Sequence, residues 1–309
     1  MGESAIMAHI GGRGGRKMPV IRFTSSEDDP FIQALSCNGT ITIESTKDGE
    51  TVTETYNNLK DTLVEIQADA DTEISIYGYV TDLYFTAYDE DAEDYDGFMS
   101  LSSLDTTGTN VLKTLSVDYN SGLEELDVTH NTNLQTLICG DMENLTDIDV
   151  SKNTKLTYLY CSHCEGITEL NLAANTALQT LNCGGTSITE LNLAANTALQ
   201  YLYCYNCTSI TELNLAANTA LQTLDCGGTS ITELNLAANT ALQTLDCNSC
   251  TSIDNIYYPG TQEQPSTAIA GVITAATAAD GTVYTDSAGA YYSTIADAAT
   301  AKGWTIEQL

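Results

Sequence analysis

The sequence predicts a solenoid, α/β to mostly β, in which each coil adds one strand to a parallel sheet on the concave face. Three observations predict it. Residues 167–187 read ITELNLAANTALQTLNCGGTS, and the phrase restarts at residues 188, 210 and 231. A cysteine returns once per unit, at Cys139, Cys161, Cys183, Cys204, Cys226 and Cys247, and so does an asparagine, at Asn131, Asn153, Asn175, Asn196, Asn218 and Asn239. The chain has 309 residues, more than one compact core usually holds, which favours an array over a single globule. Residues that recur once per unit stack along the axis at roughly the strand spacing of 4.7–4.9 Å, so one unit is one coil.

Taken in order, residues 1–19 are glycine-rich with Arg13, Arg16 and Lys17, and read as a disordered basic lead with no continuous apolar export core. Residues 20–75, with GTITIES at 39–45, alternate apolar and polar side chains and predict an N-terminal β cap. Residues 76–258 are the repeats. Six full units start at 123, 145, 167, 188, 210 and 231. Two degenerate units precede them, with Leu112, Leu115 and Val117, and earlier Val80, Leu83 and Phe85, in the places of Leu178, Leu181 and Cys183. Between these two lies an insertion, residues 86–100, that carries Asp89, Glu90, Asp91, Glu93, Asp94 and Asp96. It lacks the alternating ligands and central glycine of a calcium loop and reads as a solvated loop. Pro259 and Gly260 break a last unit, and residues 259–309 predict a small C-terminal cap in which 293–309 suggest a short helix, a glycine stop and a closing strand.

Each unit holds two phrases that could be the concave strand, Leu170-x-Leu172 or Leu181-x-Cys183. The internal duplication chooses between them. Residues 167–209 and 210–252 differ only at Asn182/Asp225, Tyr201/Thr244, Tyr203/Asp246, Tyr205/Asn248 and Asn206/Ser249. With Leu181, Cys183, Leu202 and Cys204 inward, residues 180, 182, 184, 201, 203 and 205 point outward, since strand side chains alternate. Four of the five differences fall on those sites, whereas Glu169, Asn171, Glu190 and Asn192 of the other phrase did not change. The sheet is therefore assigned to Leu-x-x-Leu-x-Cys.

That phrase, followed by Ile-x-x-Leu-x-Leu-x-x-Asn-x-x-Leu, resembles the short leucine-rich repeats of internalin-like surface proteins of bacteria over about residues 76–258. The resemblance implies a leucine-rich-repeat solenoid, and it looks in particular like the secreted or surface-attached repeat proteins of anaerobic commensals, which implies an extracellular or cell-surface place. Its implied role is binding host or neighbour molecules. The chain departs from the pattern in having Cys where a strand Leu is usual, and Thr or Cys where the strand's Asn is usual.

Composition excludes several partners. Ten Lys plus Arg stand against 42 Asp plus Glu, and Arg13, Arg16, Lys17 and Arg22 lie in the first 23 residues. Nucleic acid needs a basic footprint that the rest lacks. No apolar run reaches the roughly 18–20 residues of a spanning helix, so no membrane insertion is expected. The expected state is a monomer.

Neither catalytic nor metal-binding residues are expected, and no cofactor. The pairs Cys161/Cys164, Cys204/Cys207 and Cys247/Cys250 lie two coils apart, on the order of 10 Å, too far for one four-thiolate site. The first cysteine of each pair fills the inward ladder, and the second takes the turn position of Thr186 and Thr229. Most of the ten cysteines are expected to be reduced. The three histidines, His9, His130 and His163, assemble no nucleophile, base and orienter.

The outward tyrosines point to binding. Tyr158 and Tyr160 occupy one strand, Tyr201, Tyr203 and Tyr205 the strand two coils on, and Thr180, Asn182 and Gly184 lie between, which predicts a shallow slot with aromatic walls roughly 9–10 Å apart. The candidate ligand-binding residues are Tyr158, Tyr160, Asn182, Tyr201, Tyr203, Tyr205, Asp225 and Asp246. The expected ligand is a protein or carbohydrate, a host's among them. The alternative is a surface spacer without a specific ligand, whose exposed tyrosines reflect strand propensity alone.

Overall fold

The computed structural model describes residues 20–85, 101–247, 249–250 and 252, and the backbone of four short strands beyond them. The basic lead, the acidic insertion at 86–100 and the helix expected within 293–309 lie outside the described residues.

Eight strands build the N-terminal part: β1 (Val20–Ser25), β2 (Phe31–Cys37), β3 (Thr40–Lys47), β4 (Glu50–Asn57), β5 (Thr62–Glu65), β6 (Glu73–Tyr77), β7 (Val80–Tyr84) and β8 (Leu101–Asp105). Five of them form an antiparallel sheet in the order β4-β3-β6-β1-β8. The alternation read in the sequence is the alternation of burial, with Ile41, Ile43, Ile74 and Ile76 fully inside. β2, β5 and β7 pair antiparallel in a second sheet. The two sheets meet across a shared core, where the rings of Phe23 and Phe85 lie 4.8 Å apart.

β7 is also the first strand of the solenoid. It pairs in parallel with β9 (Thr114–Ser116), Leu83 against Leu115, as the degenerate units predict. The ladder continues through β10 (Thr136–Ile138), β11 (Tyr158–Tyr160), β12 (Thr180–Asn182), β13 (Tyr201–Tyr203) and β14 (Thr223–Asp225). β15 (Glu233–Asn235) lies on the other phrase, and β16 (Thr244–Asp246) resumes the concave ladder. Every step keeps register, so Leu137, Leu159, Leu181, Leu202, Leu224 and Leu245 form one buried column. The sheet does lie on the Leu-x-x-Leu-x-Cys phrase.

The fold sits at the β end of the expected range, because no helix occurs among the described residues. Each convex segment is instead two tight turns: the Asn175 amide donates to Leu172 O and the Leu178 amide to Asn175 O, both at 3.0 Å. Only residues 173–180 lie between Leu172 of one phrase and Leu181 of the next, and an isolated helix needs about 12–15 residues to be stable. The asparagine ladder closes these turns from within. Asn196 Nδ2 donates to Leu172 O and Asn175 O of the preceding coil at 3.1 and 2.9 Å, and Asn153, Asn175, Asn218 and Asn239 repeat the pair.

Towards the C-terminus, β15 pairs in parallel with β17 (Asn255–Tyr258), so the second phrase also becomes strand there. β18 (Ile273–Thr274) joins β16 and extends the concave sheet, while β19 (Tyr284–Asp286) and β20 (Tyr291–Tyr292) complete a small sheet in the order β15-β17-β19-β20.

Candidate functional site

The outward positions of β11 to β16 hold every residue singled out from the sequence. Tyr158 and Tyr160 lie on β11, Asn182 on β12, Tyr201 and Tyr203 on β13, Tyr205 just past its end, Asp225 on β14 and Asp246 on β16. Register sets Thr180 beside Tyr201 and Asn182 between Tyr160 and Tyr203. Tyr201 is the most open, at 36% exposure; the others are half-buried.

Two of the tyrosines, Tyr160 and Tyr205, lie back on the preceding coils. Tyr160 covers Gly140, where an added Cβ would collide with its ring, and Tyr205 covers Gly184, where a Cβ would lie 2.6 Å from ring carbons. The Tyr205 hydroxyl reaches Ser162 Oγ two coils back at 2.8 Å, while Ser162 Oγ donates to Gly184 O at 2.8 Å. Between Tyr160 and Tyr205, then, the expected slot has its floor covered at the Gly184 end. Glycine is required there by the close approach of a ring rather than by its φ.

Beside this platform runs a column of left-handed residues, one per coil: Tyr119 (φ 62°), Asp141 (53°), His163 (57°), Gly185 (69°), Asn206 (55°), Gly228 (69°) and Ser249 (59°). Its amides extend the parallel ladder, with Asp141 N donating to Ser162 O and His163 N to Gly184 O, both at 2.8 Å. Asn, Asp and Gly tolerate this conformation, which accounts for the second glycine of each short unit, Gly185 and Gly228. His163 and Asn206 of the long units lean over Gly185 and Gly228 of the next coil. The His163 ring lies 5.9 Å from that of Tyr205, and Tyr205 Oη is 3.4 Å from His163 Nε2. None of Gly140, Asp141, Ser162 or His163 was singled out as a site residue. The signal for them was a small residue in one unit facing a bulky one in the next.

The electrostatics follow burial. Desolvation raises the Asp141 carboxyl above its ordinary range, opposed by His163 and the hydroxyls of Tyr160 and Tyr119. Burial, then the Tyr203 and Asp118 nearby, raises Tyr158, and burial with Asp141 and Tyr205 raises Tyr160. Asp225 is raised by burial and by Asp246 on the adjoining strand.

All ten cysteines are buried thiols outside any disulfide. Burial first of all holds Cys139, Cys161 and Cys204 above the usual thiol range, so the inner ladder is protonated and packs as small apolar side chains. The second cysteines occupy the threonine place, as the repeat register suggests: Cys183 O accepts from Thr186 Oγ1 at 2.7 Å and from Cys207 Sγ of the next coil at 3.1 Å. Among the described residues no three His, Cys, Asp or Glu side chains group as a metal site would require.

No protein-family model matches the chain, and no curated protein does. Among solved structures, the functional domain of InlJ from Listeria monocytogenes, which includes a cysteine ladder, is 24% identical with a TM-score of 0.28, over 54% of this chain and 53% of that one. The internalin InlF from Listeria monocytogenes strain 4b F2365 is 21% identical with a TM-score of 0.36, over 57% of this chain and 55% of that one. The match thus spans about half the length of each. By its own coils, each with one concave strand and, from Cys139 to Cys247, one inward cysteine and one asparagine turn apiece, the chain is folded as a leucine-rich-repeat solenoid.

Proposed function

We propose that this chain is an extracellular or cell-surface recognition module that binds a protein or glycan ligand on the concave sheet face around β11 to β16. One observation carries the proposal. The two 43-residue blocks share their whole buried lattice, and they differ at four outward positions of the concave phrase and at Asn206/Ser249 in the adjoining turn. The strands fix these outward side chains on a rigid surface, and the tyrosines supply broad apolar faces with polar tips, the composition of an adaptable binding surface. Binding needs no reacting group here, only placement.

No helix among the described residues is long and apolar enough to cross a membrane. The module acts on a partner in solution or on a neighbouring surface, as a monomer, and nucleic acid is not among its ligands. The test is a screen of the full chain on glycan and polypeptide arrays, followed by amide exchange of the bound complex. A ligand should protect the amides of residues 158–160, 180–182 and 201–203. Protection confined to the convex turns would move the site, and no saturable ligand at all would leave a spacer.

A further inference from the structure

The tyrosine strand β13 is flanked by carboxylates on one side, with Tyr203 beside Asp225 and Asp225 beside Asp246. The charge of Asp225 is surplus to the fold. Its Oδ1 accepts the Gly227 amide at 3.1 Å, and in the sister block Asn182 Oδ1 accepts the Gly184 amide at the same 3.1 Å without any charge. Nor does any nearby cation among the described residues neutralise the charge. From β7 to β16 the outward positions hold no Lys or Arg, and Lys113, at the foot of β9, stands five strands from Asp225. The four ion pairs among the described residues all belong to Arg22 and Lys47 of the N-terminal part. The whole chain carries a formal charge of −32.

Ring faces next to carboxylates are suited to one chemistry above others. A Lys or Arg side chain gains from the π face and from the carboxylate together, whereas a neutral sugar gains nothing from the charge and an acidic one is repelled. Building on the recognition role proposed above, we infer that the partner on this face is a lysine- or arginine-rich extended segment of another protein, with cationic side chains over Tyr201 and Tyr203 and against Asp225. The four strand steps from β11 to β16 span about 19 Å, the length of about six residues of extended chain.

The test uses a labelled peptide of alternating Lys and Thr, about ten residues long, with a Glu-Thr peptide of equal length as the control. The full chain should bind the Lys-Thr peptide and not the Glu-Thr one, with affinity falling about tenfold or more between about 50 and 200 mM salt. Asp225→Asn should weaken binding about three- to tenfold and flatten the salt dependence, with the melting temperature held or slightly raised. Glu190→Gln, on the convex side, should leave affinity as it was. Equal losses for D225N and E190Q would mean diffuse attraction to a polyanion and would overturn the inference. Should the Lys-Thr peptide fail to bind while a neutral glycan protects residues 158–203, the cationic partner falls and the recognition role stands; if no ligand of any class protects this face, both fall.

Discussion

Blocks 167–209 and 210–252 are two copies of one scaffold, and what separates them is where the chain is free to vary. Their inward residues match in burial as well as identity: Leu181 and Leu224 are both at 0%, and Leu202 and Leu245 at 0% and 2%. Cys183 and Cys226 are likewise sealed. Outside, the first block presents Tyr201 and Tyr203 where the second presents Thr244 and Asp246, and the sequence carries Asn248 in the place of Tyr205. One lattice therefore carries two different surfaces, an aromatic one and an acidic one, within one continuous sheet.

The largest break in this equality comes from charging the shared lattice. Leu191→Asp buries an unpaired carboxylate at a site 4% exposed and should cost several kcal/mol, lowering the melting temperature by ten degrees or so and loosening neighbouring coils. Glu190→Ala, one residue away and exposed, should move it by about a degree at most. Equal effects of the two in a melting curve would show that the inward phase is wrong.

Next comes the ladder that ties coil to coil. Asn196→Ala removes both hydrogen bonds to the preceding coil and leaves Leu172 O and Asn175 O with only their backbone donors, Asn175 N and Leu178 N, at a cost of about 1–3 kcal/mol in denaturant unfolding. Asn239→Ala should cost a similar amount, because Asn239 makes the same two bonds at 3.0 and 2.8 Å.

A smaller effect separates the blocks. Gly184→Ala pushes a methyl group into the Tyr205 ring and should destabilise by about 1–3 kcal/mol. In a Tyr205→Asn background, which copies Asn248 of the second block, most of that cost should vanish, a coupling of about 1 kcal/mol or more. Independent costs in the double-mutant cycle would refute the ring-on-glycine contact.

The smallest effect is a titration. Asp225 is held above its ordinary carboxylate value of 3.8, so the folded chain binds that proton more tightly than the unfolded chain does. The resulting stabilisation is complete below 3.8 and is lost as pH rises through the folded value. D225N should therefore be slightly more stable than the parent at neutral pH, and the gap should close as pH falls towards 3.8. A gap that widened on acidification would reverse the sign of the burial effect.

These contrasts mark what the sequence made legible. The strand phrase could be read because the Tyr201/Thr244 and Tyr203/Asp246 pairs fall at period two beside unchanged leucines, and Leu83 and Leu115 could be placed by repeat register alone. Gly184 could be placed on the tyrosine face by period two, but His163 could not, since its contact with Tyr205 depends on which way a ring lies across coils. The left-handed column was hidden for the same reason: Tyr119, Asp141 and His163 look unrelated until the coils bring them into line with Gly185. The strand β15 could not be foreseen either, because its sequence, ELN, is identical to that of residues 190–192, which the structure leaves as loop. Its partner β17 makes the difference.

The most direct test of the central claim, that the shared lattice folds and the outward tyrosines recognise, is a double substitution borrowed from the neighbouring strand. Tyr201→Thr and Tyr203→Asn copy Thr180 and Asn182, their in-register partners, and add no charge. Affinity for the concave-face ligand and melting temperature should be measured on the same preparation. A folded protein with affinity weakened by about a hundredfold or more is predicted, since anchoring aromatics typically carry about 2 kcal/mol each. A folded protein with unchanged affinity would contradict it.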